Sequence, residues 1–281
     1  MLLNRNYLKV AINHLGNRTP DVAGMVVWYM KILNKDISLR DFVPPLILRL
    51  IRSIRKVPNY FDSLSMSMCN PKIVGSYSQY GEDLLIDGLI NCKRKGVYLD
   101  IGANDPFVLS NTLRFYERGW SGVNIEPNTE IFEKLRKFRP RDINLNIGVG
   151  LQRGQRMFYI MSSNTLSTFK KRAALINAEV HNERVISTKK VQVCALRDIF
   201  ETYIGDKRVD FMSLDVEGSE LEILMCNNWL KYRPYLLIIE TNFNGTEILN
   251  FLKKVDYEMV YTNATNSIFV DKKSIKELTT R

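Results

Sequence analysis

Val97-Tyr98-Leu99 is a short apolar run that ends in a carboxylate, Asp100, and turns at once through Ile101-Gly102-Ala103-Asn104-Asp105. A strand that stops on an acid and a glycine constrains the fold more than any other feature of the chain. In open α/β sheets the ligand lies outside the carboxyl ends of the strands, which is where Asp100 would stand. Gly102 is expected to let the backbone approach that ligand, because a Cβ would take its space. The pattern returns at Gly122-Val123-Asn124-Ile125-Glu126-Pro127-Asn128. A carboxylate at such a strand end accepts the hydroxyls of an adenosine ribose.

A dinucleotide fingerprint, G-x-G-x-x-G, would make room for a pyrophosphate. Here Gly102 is followed by Ala103, Asn104, Asp105 and Pro106. An acidic turn repels a pyrophosphate and suits a cation. S-adenosylmethionine carries a sulfonium, an ammonium and an adenosine, and matches both acidic strand ends. An ordinary strand-to-helix turn with a polar cap would use the same residues without a ligand.

Four segments carry a resemblance to a known family. They are Ser78-Gln79-Tyr80-Gly81-Glu82-Asp83-Leu84, Tyr98-Leu99-Asp100-Ile101-Gly102-Ala103, Gly119-Trp120-Ser121-Gly122-Val123-Asn124-Ile125-Glu126-Pro127 and Leu214-Asp215-Val216-Glu217-Gly218-Ser219-Glu220. In this order and spacing the chain, from about Ser76 to Val270, resembles the FkbM-type methyltransferases. The resemblance implies a class I methyltransferase fold, a doubly wound and mostly parallel sheet with an antiparallel terminal strand. It implies S-adenosylmethionine as cofactor and a hydroxyl acceptor on a sugar or a polyketide natural product. The cofactor-binding set it leads us to expect is Gln79, Asp83, Asp100, Gly102, Ala103, Asn104, Glu126, Pro127, Asn128, Gly148 and Val149. For Gln79, Glu82 and Asp83 the plain alternative is a helix start, capped by Ser78 and favoured by acids in its first turn.

The chain has 281 residues, room for one large domain and an appendage, and a net charge of +10. Residues 1–70 hold ten Lys or Arg against four Asp, so this segment carries +6 and the remainder +4. A basic excess points to an anionic membrane surface, an acidic or phosphorylated saccharide, or nucleic acid; a solvated basic surface is the plain alternative. Two histidines, His14 and His181, exclude a His-rich metal site, and Cys69, Cys92, Cys194 and Cys226 form no C-x-x-C. Widely spaced cysteines suit a reducing compartment. Met1 to Val10 lacks an apolar core, so no secretory leader is expected, and Val22 to Leu33 is too short to span a bilayer. A cytoplasmic protein is therefore expected.

Residues 1–70 read as a basic helical appendage and 71–281 as the catalytic domain. Pro44-Pro45 opens an amphipathic stretch, Leu46 to Lys56, with Arg49, Arg52 and Lys56 on one face. Segment 44–57 is suited to the interface of an anionic membrane, such as the inner face of the cell membrane, or to packing on the domain with its arginines in water. From residue 76, strand and helix alternate. Helices are expected at Glu82–Asn91, Asn111–Arg118, Thr129–Phe138, Ser219–Cys226 and Thr246–Val255. Strands are expected at Val97–Asp100, Gly122–Glu126, Ile143–Val149, Arg156–Met161, Thr188–Cys194, Val209–Leu214 and Tyr235–Glu240. Asn177–Arg184 reads as helix or loop, and Tyr257–Tyr261 with Ser267–Val270 as a closing hairpin.

Methyl transfer to a hydroxyl needs close positioning and a base. Asp215 ends a strand and is the expected base, with Glu217 in the same turn and Glu240 at the end of the next strand. Clustered carboxylates raise one another's pKa. Asp215 and Glu240 also suit a divalent cation such as Mg, which would hold a sugar diol. Asp215 as a cap for the helix near Ser219 is the structural alternative. The sequence Asp215-Val216-Glu217-Gly218 lacks the two prolines and aromatic with which base-methylating enzymes grip an amino group. No lysine-centred tetrad is evident either, and no nucleic-acid acceptor is expected. Asn164-Thr165-Leu166-Ser167-Thr168 has side chains suited to saccharide hydroxyls, or to any loop. Trp120 and Phe115 read as core. A nicotinamide-dependent sugar oxidoreductase and a non-catalytic subunit of the same fold are the competing functions.

Overall fold

The computed structural model describes residues 75–90 and 93–274. The expected appendage and its segment 44–57 lie outside the described residues. In chain order the elements are α1 (Glu82–Leu89), β1 (Val97–Ile101), α2 (Leu113–Glu117), β2 (Ser121–Ile125), α3 (Thr129–Phe138), β3 (Ile143–Leu145), β4 (Gly148–Val149) and β5 (Gly154–Met161). They continue with α4 (Lys171–Val180), β6 (Val185–Cys194), α5 (Leu196–Ile199), β7 (Phe211–Leu214), α6 (Glu220–Met225), β8 (Leu236–Glu240), α7 (Gly245–Lys254), β9 (Tyr257–Thr262) and β10 (Asn266–Asp271).

Seven strands form one sheet in the order β3-β2-β1-β7-β8-β10-β9, parallel except that β10 runs antiparallel to both neighbours. This is the doubly wound sheet with an antiparallel terminal strand that the sequence leads one to expect. The central strands are apolar on both faces because helices cover both. Tyr98, Phe211, Leu236 and Ile238 pack with Ile86 of α1 and Phe115 of α2. Leu99, Met212, Leu237 and Ile239 face the other way, with Ile223 of α6 and Leu252 of α7. Trp120 and Phe115 are fully buried core residues. The chain leaves β1 toward β2 on one side and returns through β7 on the other, so the topological switch point lies between β1 and β7. A crevice forms there outside the strand ends.

Three expectations are corrected. Ile143–Val149 is not one strand: β3 pairs with β2, whereas β4 joins β6 in a separate three-stranded sheet, β4-β6-β5. Asn146 makes the break, its amide donating to the carbonyls of Glu126 and Pro127 and drawing the chain off the large sheet. The segment Asn177–Arg184, read as helix or loop, is split: a helix that begins at Lys171, where the Thr168 hydroxyl accepts from the Lys170 amide, ends at Val180. Its buried face is Ala173, Ala174 and Asn177, small and polar residues that give little periodic signal. The short helix α5, with the turn that continues it to Ile204, has no counterpart among the expected elements.

Candidate active site

The turn after β1 is built against the turn after β7. The Gly102 and Ala103 amides both donate to the Ile125 carbonyl, at 3.0 and 3.1 Å, and the Asp215 amide donates to Ile101 O at 3.0 Å. Gly102 has φ +80°, and a Cβ on it would overlap the carbonyl oxygen of Asp215. Its glycine is therefore required by the other turn's backbone, a constraint the sequence reading did not contain. Asn104 follows with φ +48°, and its amide donates to Glu126 Oε2 at 3.0 Å. The other Glu126 oxygen accepts from the Asn128 amide at 2.7 Å, and Asn128 caps α3 through the Glu130 amide. Glu126 thus ties the β1 turn to the start of α3.

These turns line a cavity of about 560 Å³ at the carboxyl edge of the sheet. On its wall stand Gln79, Asp100, Gly102, Ala103, Asn104, Glu126, Pro127, Gly148 and Val149 of the expected cofactor set, and all three expected catalytic residues, Asp215, Glu217 and Glu240. Two expected residues are elsewhere. Asp83 spends its carboxylate on Ser76, Ser78 and the Tyr77 amide, and so organises the entry to α1. Asn128 is the α3 cap and reaches Asn164 with its amide. Glu82 is buried and receives the Tyr80 amide and the side chains of Asn263 and Asn266, tying the β9–β10 hairpin to the loop before α1.

Asp215, Glu217 and Glu240 converge, each offering an oxygen within 4.8 Å of the others. Glu217 has φ +57° and receives the Asn177 amide of α4 at 3.3 Å. Glu240 is 2% exposed; one oxygen accepts from Asn242 at 2.8 Å, and the carboxyl is also hydrogen-bonded to Asp215 and Glu220. Glu220 lies beside them, folding the turn by accepting from the Val216 and Gly218 amides. Burial first, and then the charge of Glu220 on Asp215 and of Asp215 on Glu217 and Glu240, pushes these three carboxyls well above the ordinary range, while the hydrogen bond with Glu240 pulls Asp215 the other way. Burial likewise raises Asp100 to about 6 although Thr112 donates to it at 2.8 Å, and Glu126 to about 7 against its two amide bonds.

The lining holds five carboxylates and neither Lys nor Arg. Sequence reading missed much of the rest: Asn111 and Ser213, which bond each other at 3.2 Å, and Asn177, Ser219, Asn242 and Phe243. Ser213 lies within β7 and the others on loops and helix positions whose approach only the tertiary fold sets. The Asn164–Ser167 segment does stand on the wall.

Five raised carboxyls have a measurable consequence for the unliganded protein. Each has a folded pKa above its unfolded value, so the folded state holds more protons between the two, and stability falls as pH rises through that window. For Glu126 the window runs from 4.5 to about 7, a loss of roughly 3 kcal/mol. Thermal melts without ligand are expected to show lower stability at pH 8 than at pH 5.5. A midpoint that climbs over this range would mean that the carboxylates are ionised and compensated.

The carboxylate-lined crevice thus lies at the switch point of the sheet. The FkbM methyltransferase domain model matches residues 100–259, and the chain belongs to that family. No curated protein matches the sequence. Among solved structures, a chain from the crystal structure of a fibrillarin/Nop5p complex is 12% identical, over 63% of this chain and 72% of that one, with a TM-score of 0.34. Among the described residues no helix is long and apolar enough to cross a membrane.

Proposed function

We propose that the protein transfers the methyl group of S-adenosylmethionine to a hydroxyl of a sugar or glycoconjugate. The observation that carries this reading is the cavity wall, with its five carboxylates, one histidine (His181) and neither Lys nor Arg. Such a donor set fits a cofactor with a sulfonium and an ammonium and repels a pyrophosphate. The family match sets the nicotinamide alternative aside as well.

When bound, the cofactor supplies a methyl group already activated by its sulfonium. Glu126 and the Asn104 turn are assigned to its ribose end, and Asp100 and Gln79 to its amino-acid end. Asp215 takes the proton of the acceptor hydroxyl, its raised pKa bringing it toward neutrality as a base must be. Glu217 and Glu240 tune that carboxyl. The amides and hydroxyls of Asn111, Asn164, Thr165, Ser167, Asn177 and Asn242 stand around the cavity and suit a polyhydroxyl acceptor. A divalent cation such as Mg on Asp215 and Glu240 would serve to hold a sugar diol. Cys194 and Cys226 are free thiols, which agrees with a cytoplasmic location.

The test is transfer of labelled methyl from S-adenosylmethionine to oligosaccharide acceptors, with the product challenged by mild alkali. An ether survives; label released as from an ester, or found on an amine, would overturn the reading. Glu126→Gln is expected to weaken S-adenosylmethionine binding by about 1.5–3 kcal/mol, one bond to a charged group, or roughly 10- to 150-fold in Kd. Calorimetry on the folded variant checks this, and an unchanged Kd would remove Glu126 from the cofactor site.

A further inference from the structure

We propose that Asn177 is a positioning residue for methyl transfer: its buried amide ties the turn that carries Glu217 to the loop that receives the acceptor, and so holds the two at one spacing. The proposal rests on the methyl-transfer reading of this cavity and gives one wall residue a more specific part in it.

Asn177 belongs to the buried face of α4, with Ala173 and Ala174, and is 3% exposed. A polar side chain so buried must find its partners within the protein. Its Nδ2 has two hydrogens to give and meets two acceptors, both at 3.3 Å. One is the Leu166 carbonyl, in the Asn164–Leu166 turn on the cavity wall. The other is Glu217 Oε2, in the turn after β7. The amide is therefore spent on protein atoms, and it bridges two segments that are far apart in the chain.

Thr168 makes a second tie to the same residue. It is fully buried; its hydroxyl donates to Glu217 O at 2.8 Å and accepts from the Lys170 amide at 3.0 Å, where α4 starts. Glu217 is thus held by its main chain and by its side chain, from α4 and from the loop before it. It needs both. Its φ of +57° lies in the left-handed region, which strains a residue with a Cβ and persists where the surroundings over-determine it. Its carboxylate also has acidic neighbours, Asp215 and Glu240, each with an oxygen no more than 4.8 Å away. Without the Asn177 donor, the Glu217 side chain would turn from them into another rotamer.

An acceptor hydroxyl seated against Asn164–Ser167 has to meet Asp215, which stands at the other end of this tie. A misplacement of about 1 Å at a reacting centre is enough to cost about a hundredfold in rate.

The experiment compares the full-length wild type with Asn177→Leu, with Thr168→Val and with Leu175→Ala, a control on α4 at a residue 58% exposed. Hydrogen exchange read by mass spectrometry, without acceptor, is expected to quicken in both tied segments, 164–168 and 215–219, in the first two variants. The strands β1 and β8 should keep wild-type protection, and Leu175→Ala should leave both segments unchanged. Transfer of labelled methyl to the oligosaccharide acceptors is expected to show kcat lower by about a hundredfold in Asn177→Leu. Acceptor KM and the Kd of S-adenosylmethionine should stay within about threefold, a split that lost folding alone does not give. Should Asn177→Leu not fold, Thr168→Val is read in the same two ways. Unchanged exchange at 215–219 in the folded variants would overturn the proposal. So would a raised KM at wild-type kcat, which would make Asn177 an acceptor contact. If the wild type methylates no oligosaccharide, the sugar reading falls and exchange alone decides the tie: paired quickening upholds it, and its absence overturns it.

Discussion

Asp215→Asn is expected to bind S-adenosylmethionine within about threefold of wild type and to lose between a hundredfold and ten-thousandfold of turnover, about the contribution of a general base. The substitution keeps the shape of the side chain at the end of β7, where its own amide is already fixed to Ile101 O. It replaces a carboxylate that is crowded by Glu217, Glu220 and Glu240 with an amide that can donate to them. The unliganded variant is therefore expected to melt higher than wild type while its catalysis falls. These opposite movements separate a reacting carboxylate from a turn residue, whose loss would lower stability. Normal turnover on the true acceptor would end the assignment of Asp215 as base.

Gly102→Ala is expected to cost about 2–5 kcal/mol of stability, combining the left-handed backbone penalty with overpacking. At φ +80° the added methyl would meet the Asp215 carbonyl, which is main chain and has no rotamer to give. The ends of β1 and β7 would be prised apart at the switch point, so cofactor affinity and turnover should fall together. Chemical denaturation followed by two probes measures the effect. A loss under about 1 kcal/mol would mean that the two turns do not bear on each other.

The sheet was legible because its central strands are buried on both faces and so read as uninterrupted apolar runs, each ending in an acid or a glycine turn. Val97–Ile101 and Leu236–Glu240 are such runs, and the helix Thr129–Phe138 carries periodic Ile131 and Leu135, whereas its cap Asn128 was read as a cofactor residue. The convergence of Asp215 with Glu240 followed from both ending neighbouring parallel strands. The wall facing them was not legible. It is made by β4, β5 and α4, which leave the large sheet because one Asn146 side chain captures two carbonyls, an event without periodic signature. The role of Asp83 was misjudged for a related reason. An acid after a turn looks the same in sequence whether it faces a ligand or three local donors. Gly102 stands on the cavity wall with the Asp215 carbonyl against it, and no reading of one strand reveals which other backbone will lie there.

The three-stranded sheet and α4 lie between β3 and β7 in the chain and bring Phe158, Asn164, Phe169 and Asn177 to the cavity. The carboxylates come from the large sheet itself. The two are nonetheless tied together: the Thr168 hydroxyl donates to Glu217 O, the Asn177 amide to the Glu217 carboxylate, and Arg156 and Lys170 pair with Glu222. A substitution on this wall is therefore felt at the turn that holds Asp215 and Glu217, so wall and strand ends move as one mechanical unit.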